Sequence, residues 1–154
     1  MNKEIGPADI ASITERLNRL TPDAKPRWGT MTPREAVVHL SDALTHPLGD
    51  GPAPLPPHSW FRNVLLKWLV LWVFPRMPKG AKTRPGADPR KEGTKPGDFA
   101  RDLATLHALT ARYVAAVKSG AIKTEHTRFG PMRERDWLRW WWMHNDHHLR
   151  QFGV

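Results

Sequence analysis

The chain predicts an all-α domain. Apolar residues recur at helical spacing through several segments, proline and glycine punctuate between them, and no run alternates as a half-buried strand would. The 154 residues suit one domain, 1–154, with a single core, and 40% apolar content is ordinary for a globular chain.

The first helix is expected from Pro7 to Leu20. Pro7 suits an opening turn, where its missing N–H has no intrahelical partner to lose. Ile10, Ile13, Leu17 and Leu20 then form one stripe before Thr21-Pro22. The second start is sharper. Thr32-Pro33-Arg34-Glu35 combines an N-cap hydroxyl, a proline at the first helical position and a glutamate three residues after the cap. This helix should run to His46 and stop at Pro47 and Gly49, with residues 47–57 as loop.

An extra segment, Trp60 to Phe74, is apolar almost all round, which predicts either burial or a subunit interface and makes a homodimer plausible. Its apolar run from Val64 to Phe74 contains Lys67 and is too short to span a bilayer. Residues 75–97 are proline-rich and read as a long, extended surface loop. A further helix should begin near Asp98 and end at Ser119-Gly120, with Phe99, Leu103, Leu106, Tyr113, Val114 and Val117 facing the core. The last runs from Met132 to Phe152. Long amphipathic helices without strands imply a helical bundle.

The net charge of +9 raises nucleic acid as a partner. Much of the excess lies in the proline-rich stretch, at Arg76, Lys79, Lys82, Arg84, Arg90, Lys91 and Lys95, where a solvated loop is the plainer reading. No helix-turn-helix, zinc-finger or RNA-binding signature accompanies it. The absence of cysteine excludes disulfides, thiolate nucleophiles and zinc–thiolate sites, so any metal must be held by nitrogen and oxygen. The opening Met1-Asn-Lys-Glu-Ile-Gly has no apolar core of a signal peptide, which favours the cytoplasm.

Chemistry concentrates at the end of the chain. Three of the eight histidines, His144, His147 and His148, fall within the last expected helix. Residues four apart share a helical face, about 6 Å apart along the axis, so His144 and His148 can address one ion. The three-residue spacing of His144 and His147 is also used in helical metal sites, and spacing alone leaves both pairs open. Trp137, Trp140, Trp141, His148 and Gln151 lie within about 60° of His144 on the helical wheel, making an indole floor. Arg135, Arg139, Asp146 and Arg150 fall on the opposite face, expected to be solvated. His39, between the small residues Ala36 and Ala43 on its own face, is the candidate third ligand. Glu35 and Asp42, one turn to either side, are candidates to orient its free nitrogen.

Three stretches carry a family resemblance: Arg27 to His39, Glu125-His-Thr-Arg-Phe-Gly-Pro-Met132, and His144-Asn-Asp-His-His-Leu-Arg-Gln151. Together they resemble the DinB-like (YfiT-like) superfamily of metalloenzymes. The likeness is closest to a branch known as a domain of unknown function, with a C-terminal His-x-Asp-His-His-Leu-Arg-Gln-Phe motif, and it covers the chain from about Trp28 to Phe152. It implies a four-helix bundle of up-down-down-up connectivity and a divalent metal on three histidines. Carried over position by position, these are His39, His144 and His148. His126 matches a histidine before a Phe-Gly turn and either orders that loop or faces the site.

Three neutral imidazoles leave an ion its full charge and at least one open position for water or a thiol. Zinc and nickel are the leading candidates, with iron or copper also compatible. Understood relatives include thiol-dependent S-transferases and an isomerase that uses a low-molecular-weight thiol. The expected function is therefore a metal-dependent transferase or hydrolase acting on a small molecule, a thiol among its candidate partners. The alternative is a non-catalytic metal-binding helical module in stress response or in partner binding, nucleic acid included.

Overall fold

A computed structural model describes residues 4–50, 60–80, 83–123 and 125–154. Among them there are five helices and no strand: α1 (Pro7–Asn18), α2 (Pro33–Leu48), α3 (Trp60–Trp68), α4 (Phe99–Lys118) and α5 (Glu134–Phe152). A π-helical turn, Leu69–Val73, continues α3, and a 3-10 turn spans Pro85–Ala87. Most of the expected loop after α2, residues 51–59, lies outside the described residues, as does Lys82.

Local chemistry sets the helix ends. At α2 the Glu35 amide donates to Thr32 Oγ1 (3.2 Å) and the Thr32 amide donates to Glu35 Oε2 (2.8 Å), the reciprocal box expected from the sequence. Asp98 caps α4 by accepting from the Arg101 amide at 2.9 Å. Pro47 does not stop α2. It sits in the last turn, where only the bond back to Ala43 is forfeited, and the helix ends at Gly49, in the left-handed region at φ +80°.

α2 lies along α4, α1 lies along α5, and α5 also meets α2 and α4. Ile13 and Leu17 of α1, Val37 of α2, Leu106 and Tyr113 of α4, and Trp141 and Met143 of α5 are sealed from solvent. Truncating a buried side chain of this size costs about 3–5 kcal/mol, so these residues carry the fold. Tyr113 adds a polar tie by donating to the Trp137 carbonyl at 3.0 Å.

The supposedly solvated face of α5 is partly buried. Arg139 and Asp146 are only 4% and 6% exposed. Asp146 accepts from Arg16 (3.0 Å) and Arg150 (2.7 Å), while Arg139 donates to the Leu71 carbonyl at 3.2 Å. Charge marks solvent on a helical wheel only when no other element supplies partners, and here α1 and the end of α3 do.

The α3 segment departs from expectation in the other direction. Leu71 is buried, but Val64, Leu65, Trp68 and Val73 are 40–56% exposed. The segment is anchored at one edge, where Trp72 donates to Asp136 at 2.9 Å and Lys67 to the Pro131 carbonyl at 2.6 Å.

The proline-rich stretch is largely at the surface, as expected, but it is folded back on itself and not extended. Ala87, Pro89 and Gly93 are buried. The Asp88 carbonyl accepts from the Lys91 and Gly93 amides (2.8 and 2.9 Å), closing a compact turn. A Cβ at Gly93 would lie 2.8 Å from the Asp88 carbonyl carbon, so the turn needs glycine for close approach. Arg90 pairs with Glu35 at 2.7 Å, and Thr94 donates to Asp42 through its amide (2.8 Å) and hydroxyl (2.6 Å). These contacts lay the segment over α2 beside His39.

Candidate metal centre

α2 and α5 bring His39, His144 and His148 together. Their ring centroids form a nearly equilateral triangle of 4.9, 5.0 and 5.1 Å sides. One nitrogen from each lies within 4.8 Å of the other two, and Nε2 of His39 is 2.9 Å from Nε2 of His144. Ligand nitrogens around one tetrahedral zinc lie roughly 3.3 Å apart, given bonds of about 2.0–2.1 Å.

The outer hydrogen bonds determine which nitrogens are free to bind. His39 Nδ1 faces the Ala87 carbonyl at 2.6 Å; a carbonyl only accepts, so Nδ1 carries the proton and Nε2 keeps its lone pair. Gln151 Nε2 donates to the Trp28 carbonyl at 2.9 Å, which turns its Oε1 toward His148 Nδ1 at 3.0 Å. His148 is therefore also protonated at Nδ1, and its Nε2 is available.

Burial pushes all three imidazoles below the usual histidine range, His144 and His148 well below it; at those two, repulsion from the neighbouring rings adds to the shift, while at His39 the Ala87 carbonyl, Asp42 and Asp88 pull the other way. Neutral imidazole is the ligating form. A buried, neutral three-nitrogen set with two tautomers fixed from outside fits a divalent ion.

Neither Glu35 nor Asp42 orients His39. Glu35 closes the α2 cap and binds Arg90, and Asp42 holds Thr94. His147 is not part of the triangle; its ring meets Trp28 edge-on at 6.2 Å.

His126 fills both roles left open for it. Its backbone pairs with Gly130 in both directions (3.0 and 2.8 Å), and its Nδ1 accepts from the Arg128 and Phe129 amides, both at 3.1 Å. The ring stacks on Phe129 at 4.6 Å and meets Trp140 edge-on at 5.1 Å. Trp140 in turn contacts His144 at 5.5 Å. Burial, reinforced by Arg84, Arg128 and His46, holds His126 down to about 3, so it is neutral near pH 7.

These groups share a cavity of about 400 Å³ that also takes in Trp28, Arg84 and Gln151. Among the described residues, no aspartate or glutamate lines it. Sequence reasoning missed the parts played by Ala87, Trp28, Arg84 and Arg128. Gln151 had a signal, since the wheel set it on the histidine face. Ala87 had none, because a backbone carbonyl is blind to residue type.

Compared with family models, curated proteins and solved structures, the chain matches none.

Proposed function

We propose that the chain is a metal-dependent enzyme acting on a small molecule, with a divalent ion, zinc or nickel first, held by His39, His144 and His148. The observation that carries this reading is the outward hydrogen bonding of His39 and His148, which leaves an unprotonated Nε2 on each ring facing His144. A bound ion supplies positive charge that lowers the pKa of a thiol or of water at an open position.

Thiol transfer is favoured over hydrolysis. Among the described residues no carboxylate lines the cavity to act as a general base, and the chain has no cysteine. A thiol cosubstrate brings its own nucleophile and gives up an acidic proton, so the protein's task reduces to binding and orientation. Trp140 and Phe129 supply apolar walls against which a small substrate can pack.

Elemental analysis of protein purified without chelator tests the site. About one equivalent of metal is expected, retained in His147→Ala and lost in His148→Ala. Less than roughly a tenth of an equivalent, unchanged by His148→Ala, would overturn the reading.

A second reading, a non-catalytic metal-binding module in stress response or partner binding, draws on the same missing base and on the +9 charge. Salt-sensitive binding to a generic duplex supports its nucleic-acid form, and failure to bind heparin counts against it. Under either reading the exposed α3 face is the surface that a homodimer would bury.

A further inference from the structure

We infer that the outer face of α3 and its π-helical continuation docks on an anionic lipid surface. The segment lies in the plane of the membrane, with Val64, Leu65, Trp68, Val73 and Phe74 toward the lipid. The inference stands apart from the metal-dependent reading, since none of these five residues lines the metal cavity.

The helix is amphipathic in the wrong sense for an element that faces water. At about 100° per residue, Asn63, Leu66, Lys67 and Val70 fall on one arc, and Val64, Leu65 and Trp68 fall on the opposite one. The polar members point inward. Asn63 is 6% exposed, and Lys67 donates to the Pro131 carbonyl at 2.6 Å and sits 3.8 Å from Asp136. The apolar members point outward, Leu65 at 52% and Trp68 at 56% exposed, and the adjoining Val73 and Phe74 are exposed as well. Burying asparagine and lysine while wetting leucine and tryptophan runs against the hydrophobic effect in water. It fits a helix whose outer side meets an apolar phase.

Charge decides between lipid and a second copy. Residues 51–87 contain six lysines and arginines and no aspartate or glutamate. Arg76, two residues past Phe74, is exposed, and the exposed Arg135 holds its guanidinium 5.0 Å from the Trp72 ring. Of the acids on α5 beside this segment, Asp136 is buried and engaged by Trp72 and Lys67, and Glu134 stands between Arg133 and Arg135. An isologous dimer would set this basic surface against its own copy, which confines self-association to high concentration. An anionic headgroup layer offers the opposite charge, and tryptophan and phenylalanine beside arginine is the composition that settles at a membrane interface. No helix among the described residues is long and apolar enough to cross a membrane, so the segment lies on the surface. Leu66 and Val70, on the inner arc, line the metal cavity, so docking brings that cavity up to the lipid.

Co-sedimentation of the full chain with vesicles tests the inference, at about 1 μM protein, below the range where modest interfaces assemble. Phosphatidylcholine vesicles with about 30% phosphatidylserine should bind the chain at least about tenfold more tightly than phosphatidylcholine alone. Raising salt from about 0.1 M to about 0.5 M should weaken that binding several-fold. Leu65→Ser combined with Trp68→Ser, both at exposed positions, should weaken it by about tenfold or more with helix content unchanged, and Arg76→Gln by a few-fold. No binding at about 1 mM lipid, or equal binding to both kinds of vesicle, would overturn the inference. Salt-sensitive binding that ignores the double substitution also overturns it, because net charge alone then suffices. So does a dimer at about 1 μM that anionic vesicles leave intact, which would give the face to a second copy. Chelator-treated protein and His148→Ala should bind vesicles as zinc-loaded wild type does, so the docking and the metal site can fail separately. Binding that requires zinc would overturn the assignment to the outer face of α3.

Discussion

Gln151 holds His148 and Trp28 at once, accepting from the imidazole Nδ1 at 3.0 Å and donating to the tryptophan carbonyl at 2.9 Å. The amide cannot be flipped without losing both bonds, so one side chain fixes the tautomer of a candidate ligand and ties it to the segment before α2.

Gln151→Leu should therefore weaken metal binding by about 10–100-fold with little change in helix content. Gln151→Glu, which can still accept from His148, should keep more of the affinity. Competition with a chromophoric chelator measures both; equal affinity in wild type and Gln151→Leu would remove the amide from any supporting role.

The turn around Asp88 predicts a remote effect. Gly93→Ala puts a methyl 2.8–2.9 Å from the Asp88 backbone, which must shift, and Ala87 beside it supplies the acceptor for His39. A loss of metal affinity of about tenfold is expected, together with destabilisation of about 1–3 kcal/mol. Denaturant unfolding followed by metal titration separates the two effects. Unchanged affinity in a folded variant would show that the loop does not position His39.

His126 should make stability depend on pH. Its folded pKa is depressed from 6.5 to about 3, so below 6.5 the unfolded chain takes up a proton that the folded chain refuses. The contribution is fully present above pH 6.5 and is lost as pH falls toward 3. In chelator-treated protein, His126→Gln should flatten the slope between pH 6.5 and 5 by about 1 kcal/mol per pH unit. The other depressed histidines remain in both proteins, so the difference isolates this ring, with Arg84, Arg128 and His46 around it. Parallel curves for the two proteins would contradict the assignment.

The α3 face predicts self-association. Trp68 is 56% exposed beside Val64 and Leu65. Light scattering at tens of micromolar, roughly where modest interfaces assemble, should report a dimer in wild type and a monomer in Trp68→Glu. A wild-type monomer throughout that range would leave the face without a second copy.

Much of this architecture was legible because it is periodic or punctuated. The cap at Thr32 and Glu35, the stripe of Ile13 and Leu17, and the face shared by His144 and His148 are local facts about spacing. What escaped was long-range. Arg139 and Asp146 looked solvated because the sequence does not display Arg16 or the Leu71 carbonyl as their partners. The stretch from Pro75 to Gly97 looked extended because its order comes from Glu35 and Asp42, more than fifty residues away for Arg90 and Thr94. The same carboxylates, assigned to His39 on proximity along the helix, were already occupied by that stretch.

The contact from Ala87 to His39 has a genetic consequence. The acceptor is a main-chain oxygen on a residue that is already alanine, so an alanine scan would pass over it without a signal. Variation at position 87 would register through packing, while the bond that sets one corner of the triangle would respond only to changes in the path of the chain. Selection on this site would therefore appear at Gly93, Glu35 and Arg90, as constraint on a loop's shape and not on the identity of any residue touching the histidine.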